Sequence, residues 1–196
     1  MPPSPPNPRP TGPSAPARLA RLTHRRWAIP VLAELASTGG CKLVWLERHV
    51  GAGKGPAKDA LSLLIEFKLA APNPGYGHPL RPEYLPTLAG RRAGEAARLL
   101  MDAIDGLEHS DQVLRKWSLP VLLALAEGGE RFSEVKAMLP TATDRALAAA
   151  LRELEDSGLV ERTIEDARPP RPRYELADCA HDLATCAREL AECLEW

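Results

Sequence analysis

The chain has 196 residues, of which 44% are hydrophobic, with 25 Lys and Arg against 26 Asp and Glu. The length fits one large domain or two of about 90 residues, and the hydrophobic share excludes a wholly disordered chain. A net charge of −1 excludes coating of nucleic acid by bulk charge, and no apolar run reaches the roughly 20 residues of a membrane-spanning helix.

The N-terminal segment is rich in proline. Residues 1–17 contain eight of the twenty prolines, and proline disfavours helix and interior strand because it fixes φ and lacks an N–H donor. We therefore expect residues 1–22 to form a disordered tail, with a ligand for aromatic-lined grooves as the alternative. No signal peptide is predicted, so we expect a cytoplasmic protein with reduced cysteines.

After this segment the sequence repeats itself at an offset of 90 residues. Residues 25–32 (RRWAIPVL) match residues 115–122 (RKWSLPVL), and the Pro/Arg-rich residues 79–84 match residues 169–174. A single offset across segments of different composition predicts two copies of one small fold. We place these domains at residues 23–110 and 111–196.

The second copy shows the order of its elements most clearly. Hydrophobic periodicity predicts helices over residues 113–127, around 132–139, from Thr143 to Gly158 and from Asp178 onward, while alternation predicts strands over 159–164 and 173–176. Pro120 should lie in the first turn of its helix, since it is costly in a helix interior. The order is that of a winged helix-turn-helix. The predicted fold class is mainly α with small β-hairpin wings, in tandem winged helix-turn-helix domains.

Several motifs of the second copy also resemble a known family. They are KWSLPVL at 116–122, RFSEV at 131–135, LRELEDSGLVER at 151–162, and a Pro-Pro-Arg wing that ends at residues 174–176. Together they resemble the HxlR-type branch of winged-helix transcriptional regulators, which is close to the MarR group. The resemblance implies a dimeric, DNA-binding bacterial regulator. The residues show no catalytic constellation, so we expect no enzyme activity and no cofactor. Family members generally have one such domain, whereas this chain has two copies.

The first copy departs from the family pattern. It has GAGKGP at residues 51–56, where the second copy has the turn before its third helix, and it lacks the ELEDSG ending. We therefore expect weaker DNA binding by the first copy. A phosphate-binding loop is not predicted, because Arg48 and Gly55 occupy positions where that motif needs Gly and Ser or Thr.

Candidate DNA-binding residues follow from the family's third helix, which enters the major groove, and from its wing. Arginines can contact bases or phosphates, alanines can contact a thymine methyl group, and threonine hydroxyls can bind phosphate. In the second copy the candidates are Thr141, Thr143, Arg145, Ala148, Ala149, Arg152, Arg168, Arg171 and Arg173. In the first copy they are Lys54, Lys58 and Arg81. The alternative is that these are ordinary solvated surface residues.

Cys179, Cys186 and Cys193 recur every seven residues on the last predicted helix. Cysteine at this spacing is most simply a small apolar residue in a helix seam. The alternative is a redox sensor, in which a thiol would pair with another helix or chain because residues seven apart lie about 10 Å apart along one helix. Some relatives sense oxidants through a cysteine near the start of the domain, where neither copy has one. No metal site and no catalytic constellation are predicted.

These observations predict a DNA-binding transcriptional regulator whose tandem winged helices form an intrachain pseudo-dimer. We expect residues 23–36, 89–107, 113–127 and 178–195 to build the interface between the two domains. We expect double-stranded DNA to be the partner, with a second molecule of the same chain or another protein as a further possible partner. One alternative is a protein-interaction module of the chromosome-organising accessory type. It is favoured by the degenerate first copy and by the net charge of −6 over residues 111–196. A thiol-based redox-responsive regulator is the other alternative.

Overall fold

The structure is a computed structural model that describes residues 12–75, 82–107, 110–166 and 170–194. Its helices are α1 Ala15–Leu22, α2 Ala28–Thr38, α3 Leu43–His49, α4 Lys54–Glu66, α5 Leu88–Asp105, α6 Ser110–Val113, α7 Ser118–Ala126, α8 Phe132–Met138, α9 Asp144–Asp156 and α10 His181–Glu192. Its strands are β1 Cys41–Lys42, β2 Ala70–Pro72, β3 Glu83–Pro86, β4 Val160–Glu165 and β5 Arg171–Leu176. The predicted class, mainly α with small antiparallel sheets, is confirmed.

In the second half of the chain (residues 111–196; the first half is residues 12–110), the first helix is shorter than predicted. Residues 113–127 do not form one helix, because α6 ends at Val113 and α7 begins at Ser118. The Ser118 hydroxyl donates to the Gln112 carbonyl at 2.7 Å and holds the turn between the two helices. Pro120 lies in the first turn of α7, where the N–H groups have no partner within the helix, so the proline costs no helical hydrogen bond.

The wing of the second half is a two-stranded antiparallel hairpin. Val160 pairs with Leu176 at its base and Glu165 pairs with Arg171 toward its tip. Both strands are six residues long, and β5 begins two residues earlier than predicted. The last helix opens with a 3₁₀ turn over Asp178–Ala180 before α10. Three helices, a hairpin and a final helix therefore follow one another as expected for a winged helix.

The first half has the same order of elements from α2 to α5. Its third helix, α4, begins and ends 90 residues before α9, at Lys54 against Asp144 and at Glu66 against Asp156. One difference is the short strand β1, which pairs with β3 and makes a three-stranded sheet in the order β1-β3-β2. The matching order is compatible with two related domains.

Part of the predicted tail is a packed helix. Residues 15–22 form α1, so the expectation of disorder up to residue 22 is wrong for this stretch, while residues 1–11 lie outside the described residues. The Ser14 hydroxyl accepts from the Ala17 N–H at 3.4 Å as an N-cap, and Pro16 is tolerated at the second helical position. Leu19 and Leu22 are fully buried. Their burial outweighs the local proline content.

The two halves pack against each other through a small set of helices. Helix α5 packs on α10, and α1 crosses from the first half to pack on α7 and α10. The Arg18 side chain donates to the Ala191 carbonyl at 3.1 Å, and the Ser14 hydroxyl donates to the Met138 carbonyl at 3.1 Å. Helix α2 packs chiefly against α5 and α4, so α1 takes much of the interface role predicted for residues 23–36.

Helices α2 and α5 approach closely at Gly94. A Cβ atom at this position would lie 2.2 Å from the Cβ of Ala36 and 3.2 Å from the Leu32 carbonyl oxygen. Only glycine fits this spacing without a shift of the helices. The contact orients α5, which carries the first half's side of the interface with α10.

Candidate nucleic-acid interface

The start of α9 is held by three side chains. The Thr143 hydroxyl accepts from the Ala146 N–H at 3.2 Å and caps the helix. Asp144 follows in the first turn, where its negative charge interacts favourably with the positive end of the helix dipole. The Lys136 ammonium from α8 lies 3.0 Å from Asp144 and also donates to the Ala142 carbonyl. These contacts join α8, the turn and α9 into one helix-turn-helix unit.

One face of α9 is buried and the other is open to solvent. Leu147, Leu151 and Leu154 lie in the core, as predicted. The candidates Arg145, Ala148, Ala149 and Arg152 are all exposed on the opposite face. Within the described residues neither arginine has an ion pair. The open face therefore offers two free guanidinium groups on either side of two methyl groups.

The two candidate threonines lie in different surroundings. Thr143 is exposed, and although its oxygen caps α9, its hydroxyl hydrogen is free to donate. Thr141 is also exposed, but it lines a cavity between the two halves together with residues of α1 and α4. Only Thr143 is thus placed directly at the start of the exposed α9 face.

The wing arginines are not equivalent. Arg171 is exposed and has no ion pair within the described residues. Arg173 is instead occupied by three carboxylates, at 2.7 Å from Glu130, 2.8 Å from Glu175 and 3.9 Å from Glu165. Arg173 was predicted to contact DNA, but unlike Arg171 it is already paired, because strand alternation and the β4–β5 register place acidic groups beside it. Arg168 lies outside the described residues.

A different arginine, Arg162, faces α9. It pairs with Tyr174 across the hairpin, on the face opposite Arg171 and Arg173. Arg162, Tyr174 and Arg152 line a groove of about 210 Å³ between the wing and α9. Arg162 is not among the residues predicted from the sequence, because the register of the hairpin decides which face of the wing meets α9.

The first half presents a different surface at the equivalent place. Lys54 and Lys58 are exposed on α4 and have no ion pair within the described residues, whereas Arg81 lies outside them. Helix α4 begins at Lys54, and its N-cap residue, Gly53, provides no side-chain cap. On the preceding helix, Val44 is 53% and Trp45 45% exposed. The first half therefore exposes two lysines and an apolar patch, whereas the second half exposes arginines on α9 and Ser133 and Glu134 on α8.

The cysteines have contrasting environments. Cys179 is exposed, whereas Cys186 and Cys193 are half-buried and Cys41 is buried. Burial raises the pKa of the Cys186 thiol, and the nearby Glu189 and Asp182 carboxylates add to the rise. Burial also raises the pKa of Cys41. A raised pKa lowers the thiolate fraction, so neither thiol is activated for oxidation. Among the described residues no group of three or more His, Cys, Asp or Glu is arranged to hold a metal ion.

None of the described helices is both long and apolar enough to cross a membrane.

Comparison with known families matches the second half of the chain. Residues 112–196 match the model of the HxlR-like helix-turn-helix family. An uncharacterized HTH-type transcriptional regulator of Methanothermobacter thermautotrophicus is 44% identical over 63 residues, which are 32% of this chain and 48% of the relative. The regulator YtcD of Bacillus subtilis is 38% identical over 63 residues, 32% of this chain and 50% of the relative. The chain thus spans about half the length of these curated relatives.

Two solved structures are also similar. Diamide-treated YodB of B. subtilis is 29% identical, with 39% of this chain and 74% of that chain covered and a TM-score of 0.35. A transcriptional regulator of the MarR family from Enterococcus faecalis V583 is 30% identical, with 50% of this chain and 81% of that chain covered and a TM-score of 0.37.

Proposed function

We propose that the whole chain is a DNA-binding transcriptional regulator, on the premise that residues 112–196 match the HxlR-like helix-turn-helix family model. The observation that carries the proposal is the exposed face of α9. Arg145 and Arg152 are free of ion pairs within the described residues and flank Ala148 and Ala149 on a helix that is rigidly capped.

In this proposal α9 enters the major groove. Arg145 and Arg152 contact phosphates or guanine edges, while the two alanines allow close approach and contact thymine methyl groups. Thr143 donates to a phosphate at the start of the helix. Arg162 and Arg171, on opposite faces of the hairpin, contact the flanking backbone.

We further propose that residues 23–110 and 111–196 are two winged-helix domains that pair within one chain. The packing of α5 on α10 supports this pairing, as does α1, which packs on the other half. Because the exposed face of α4 carries lysines and that of α9 carries arginines, the two halves present different surfaces. An asymmetric DNA site is therefore expected, in contrast to the palindrome that an identical pair reads.

Selection of bound sequences from random double-stranded DNA tests the proposal, followed by affinity measurements at several salt concentrations. Arg145→Ala and Arg152→Ala should each weaken binding, and loss of one phosphate contact should reduce the salt slope by about 0.9. Arg98→Ala is the matched control, since Arg98 lies on α5 and pairs with Glu95 and Asp102. Unchanged affinity in both α9 variants would refute the proposed face.

A second candidate is a protein-interaction module, favoured by the apolar patch on α3. The Trp45 indole N–H donates to Glu34 at 2.7 Å, and its ring stacks on His49 with 3.7 Å between ring centroids. An exposed, fixed Trp is typical of the centre of a protein interface. Purification of a stable partner that Trp45→Ala releases, together with DNA binding that shows no salt dependence, would favour this function.

A further inference from the structure

Ile164 is a large hydrophobic side chain that stays exposed on the wing. It is 63% exposed and does not belong to the hydrophobic core of the described residues. Across the hairpin it pairs with Pro172, one position in from the outermost pair of Glu165 and Arg171. The side chains of a cross-strand pair lie on the same face of the sheet. Two apolar groups therefore stand together near the tip of the wing.

The face of the hairpin that carries Ile164 is also the face that meets α9. Side chains two residues apart on a strand lie on the same face, so Ile164 shares its face with Arg162. Arg162 lines the groove against Arg152 of α9, and Ile164 lies about 7 Å further along β4. Ile164 therefore lies beyond the groove, on the side of the hairpin that faces α9.

This face differs in charge from the opposite face of the hairpin. The glutamates of the two strands all lie on the opposite face, at Glu161, Glu165 and Glu175. The face of Ile164 carries Arg162 as its one charged strand residue, which is exposed and has no ion pair within the described residues. Asp166 follows the end of β4. An apolar side chain beside such a cation suits a partner with both apolar surface and negative charge, and DNA offers both in its bases and phosphates.

The hairpin is fixed to the segment before α8. The Tyr174 N–H donates to the Glu130 carbonyl at 2.8 Å, and the Arg173 guanidinium lies 2.7 Å from the Glu130 carboxylate. On the other strand, Glu165 accepts a hydrogen bond from Arg131 at 3.0 Å. A side chain on a fixed hairpin loses little further conformational freedom when it binds a partner. The wing can therefore hold its apolar tip rigidly against that partner.

We propose that Ile164 is an apolar wedge that inserts between two base pairs from the minor groove. This inference rests on the proposed function, in which α9 occupies the neighbouring major groove. Apolar side chains inserted in this way partly unstack a base step and kink the duplex. Unstacking is easiest at pyrimidine–purine steps such as TA. Ile164 therefore selects a flexible step at a position that α9 does not contact, while Arg162 binds an adjacent phosphate.

The fluorescence of 2-aminopurine, which rises when this base unstacks, tests the inference. The full chain is mixed with the DNA selected for binding, in which 2-aminopurine replaces one flanking adenine at a time. We expect the fluorescence to rise at one flanking step only. Replacement of a TA step there by the stiffer AA step should weaken binding about tenfold, as for one mismatched position in a site.

Ile164→Ala should remove the fluorescence rise and reduce the preference for TA over AA to less than about twofold. The salt slope should stay the same, because no charge is lost. Because Ile164 is exposed, its truncation should leave the fold intact, which circular dichroism checks. Thr163→Ala is the matched control, since Thr163 is exposed on the same strand and lies on the opposite face. Ile164→Phe keeps an apolar wedge and should keep the rise.

The wedge is overturned if the chain binds DNA without unstacking any flanking step. Equal fluorescence and equal step preference in Ile164→Ala and Thr163→Ala would overturn it as well. Either result leaves the proposed regulator intact. A chain that binds no DNA overturns both proposals, and the apolar face of the wing is then assigned to a protein partner.

Discussion

The Thr23 hydroxyl donates a 2.7 Å hydrogen bond to the backbone carbonyl of Lys116, 93 residues further along the chain. The same oxygen lies 3.1 Å from the Leu19 carbonyl, and Thr23 is only 3% exposed. This buried contact connects the end of α1 to the segment before α7. The Thr23 hydroxyl therefore links α1 in the first half to the backbone of the second half.

Thr23→Val should destabilise the protein. Valine has nearly the same shape but cannot donate, so the Lys116 carbonyl loses a partner, which costs about 1–3 kcal/mol. Chemical denaturation followed by circular dichroism measures the change. Thr185→Val, at an exposed site where the hydroxyl donates to the His181 carbonyl of its own helix, is the control. Equal losses in the two variants would contradict an inter-half role for Thr23.

Gly94→Ala should also destabilise, although alanine is normally favoured in a helix. The added methyl would lie 2.2 Å from the Ala36 Cβ, and such overpacking costs about 1–3 kcal/mol. Gly55→Ala in α4 is the control, because nothing lies within 4 Å of its added Cβ. It should change the free energy of unfolding little or raise it by up to about 1 kcal/mol. A stabilised Gly94→Ala variant would show that α2 and α5 can separate freely.

Arg162→Ala and Arg173→Ala should affect DNA binding differently. Arg162 is exposed beside Arg152, so its loss should weaken binding and reduce the salt slope. Arg173 is already occupied by Glu130 and Glu175, so its removal should leave the salt slope nearly unchanged. Fluorescence anisotropy with the selected DNA at several salt concentrations measures both. A larger effect from Arg173 would reverse this assignment.

Alkylation rates should rank the cysteines by exposure and pKa. Iodoacetamide reacts with the thiolate, so exposed Cys179 should react first at pH 7. Burial raises the pKa of the Cys186 thiol, so its alkylation should stay slow until the pH is well above the ordinary pKa of a cysteine thiol. Its rate should rise with pH, since the thiol must lose a proton. Mass spectrometry of the labelled peptides gives the rates, and a Cys186 that reacts fastest at neutral pH would revive the thiol-switch alternative.

Much of the second half could be predicted because local chemistry decides it. Thr143 caps α9 as expected, Pro120 sits in a first turn, and the leucines of α9 point inward at helical spacing. The family resemblance rested on this same half, which is the part that the HxlR-like model matches. In these segments propensity, capping and hydrophobic periodicity all favour one structure.

The structure departs from the sequence-based expectations where a distant partner decides the outcome. Residues 15–22 contain Pro16 and follow a proline-rich stretch, yet they are helical because α7 and α10 cover Leu19 and Leu22. Arg173 looks like a wing cation in a Pro/Arg-rich segment, but Glu130, 43 residues away, binds it. Arg162 could not be predicted to face α9, because only the register of the hairpin shows which wing face meets that helix.

The near-neutral charge and the length suited to two domains come from the sequence alone, as do the order of the elements and the outward face of α9. These depend on residues close together in the chain, whose spacing defines a helix face or a strand face. Tertiary structure alone decided where α1 packs and which arginines have no ion pair among the described residues. Each depends on residues brought together from both halves, and no local pattern encodes such distances.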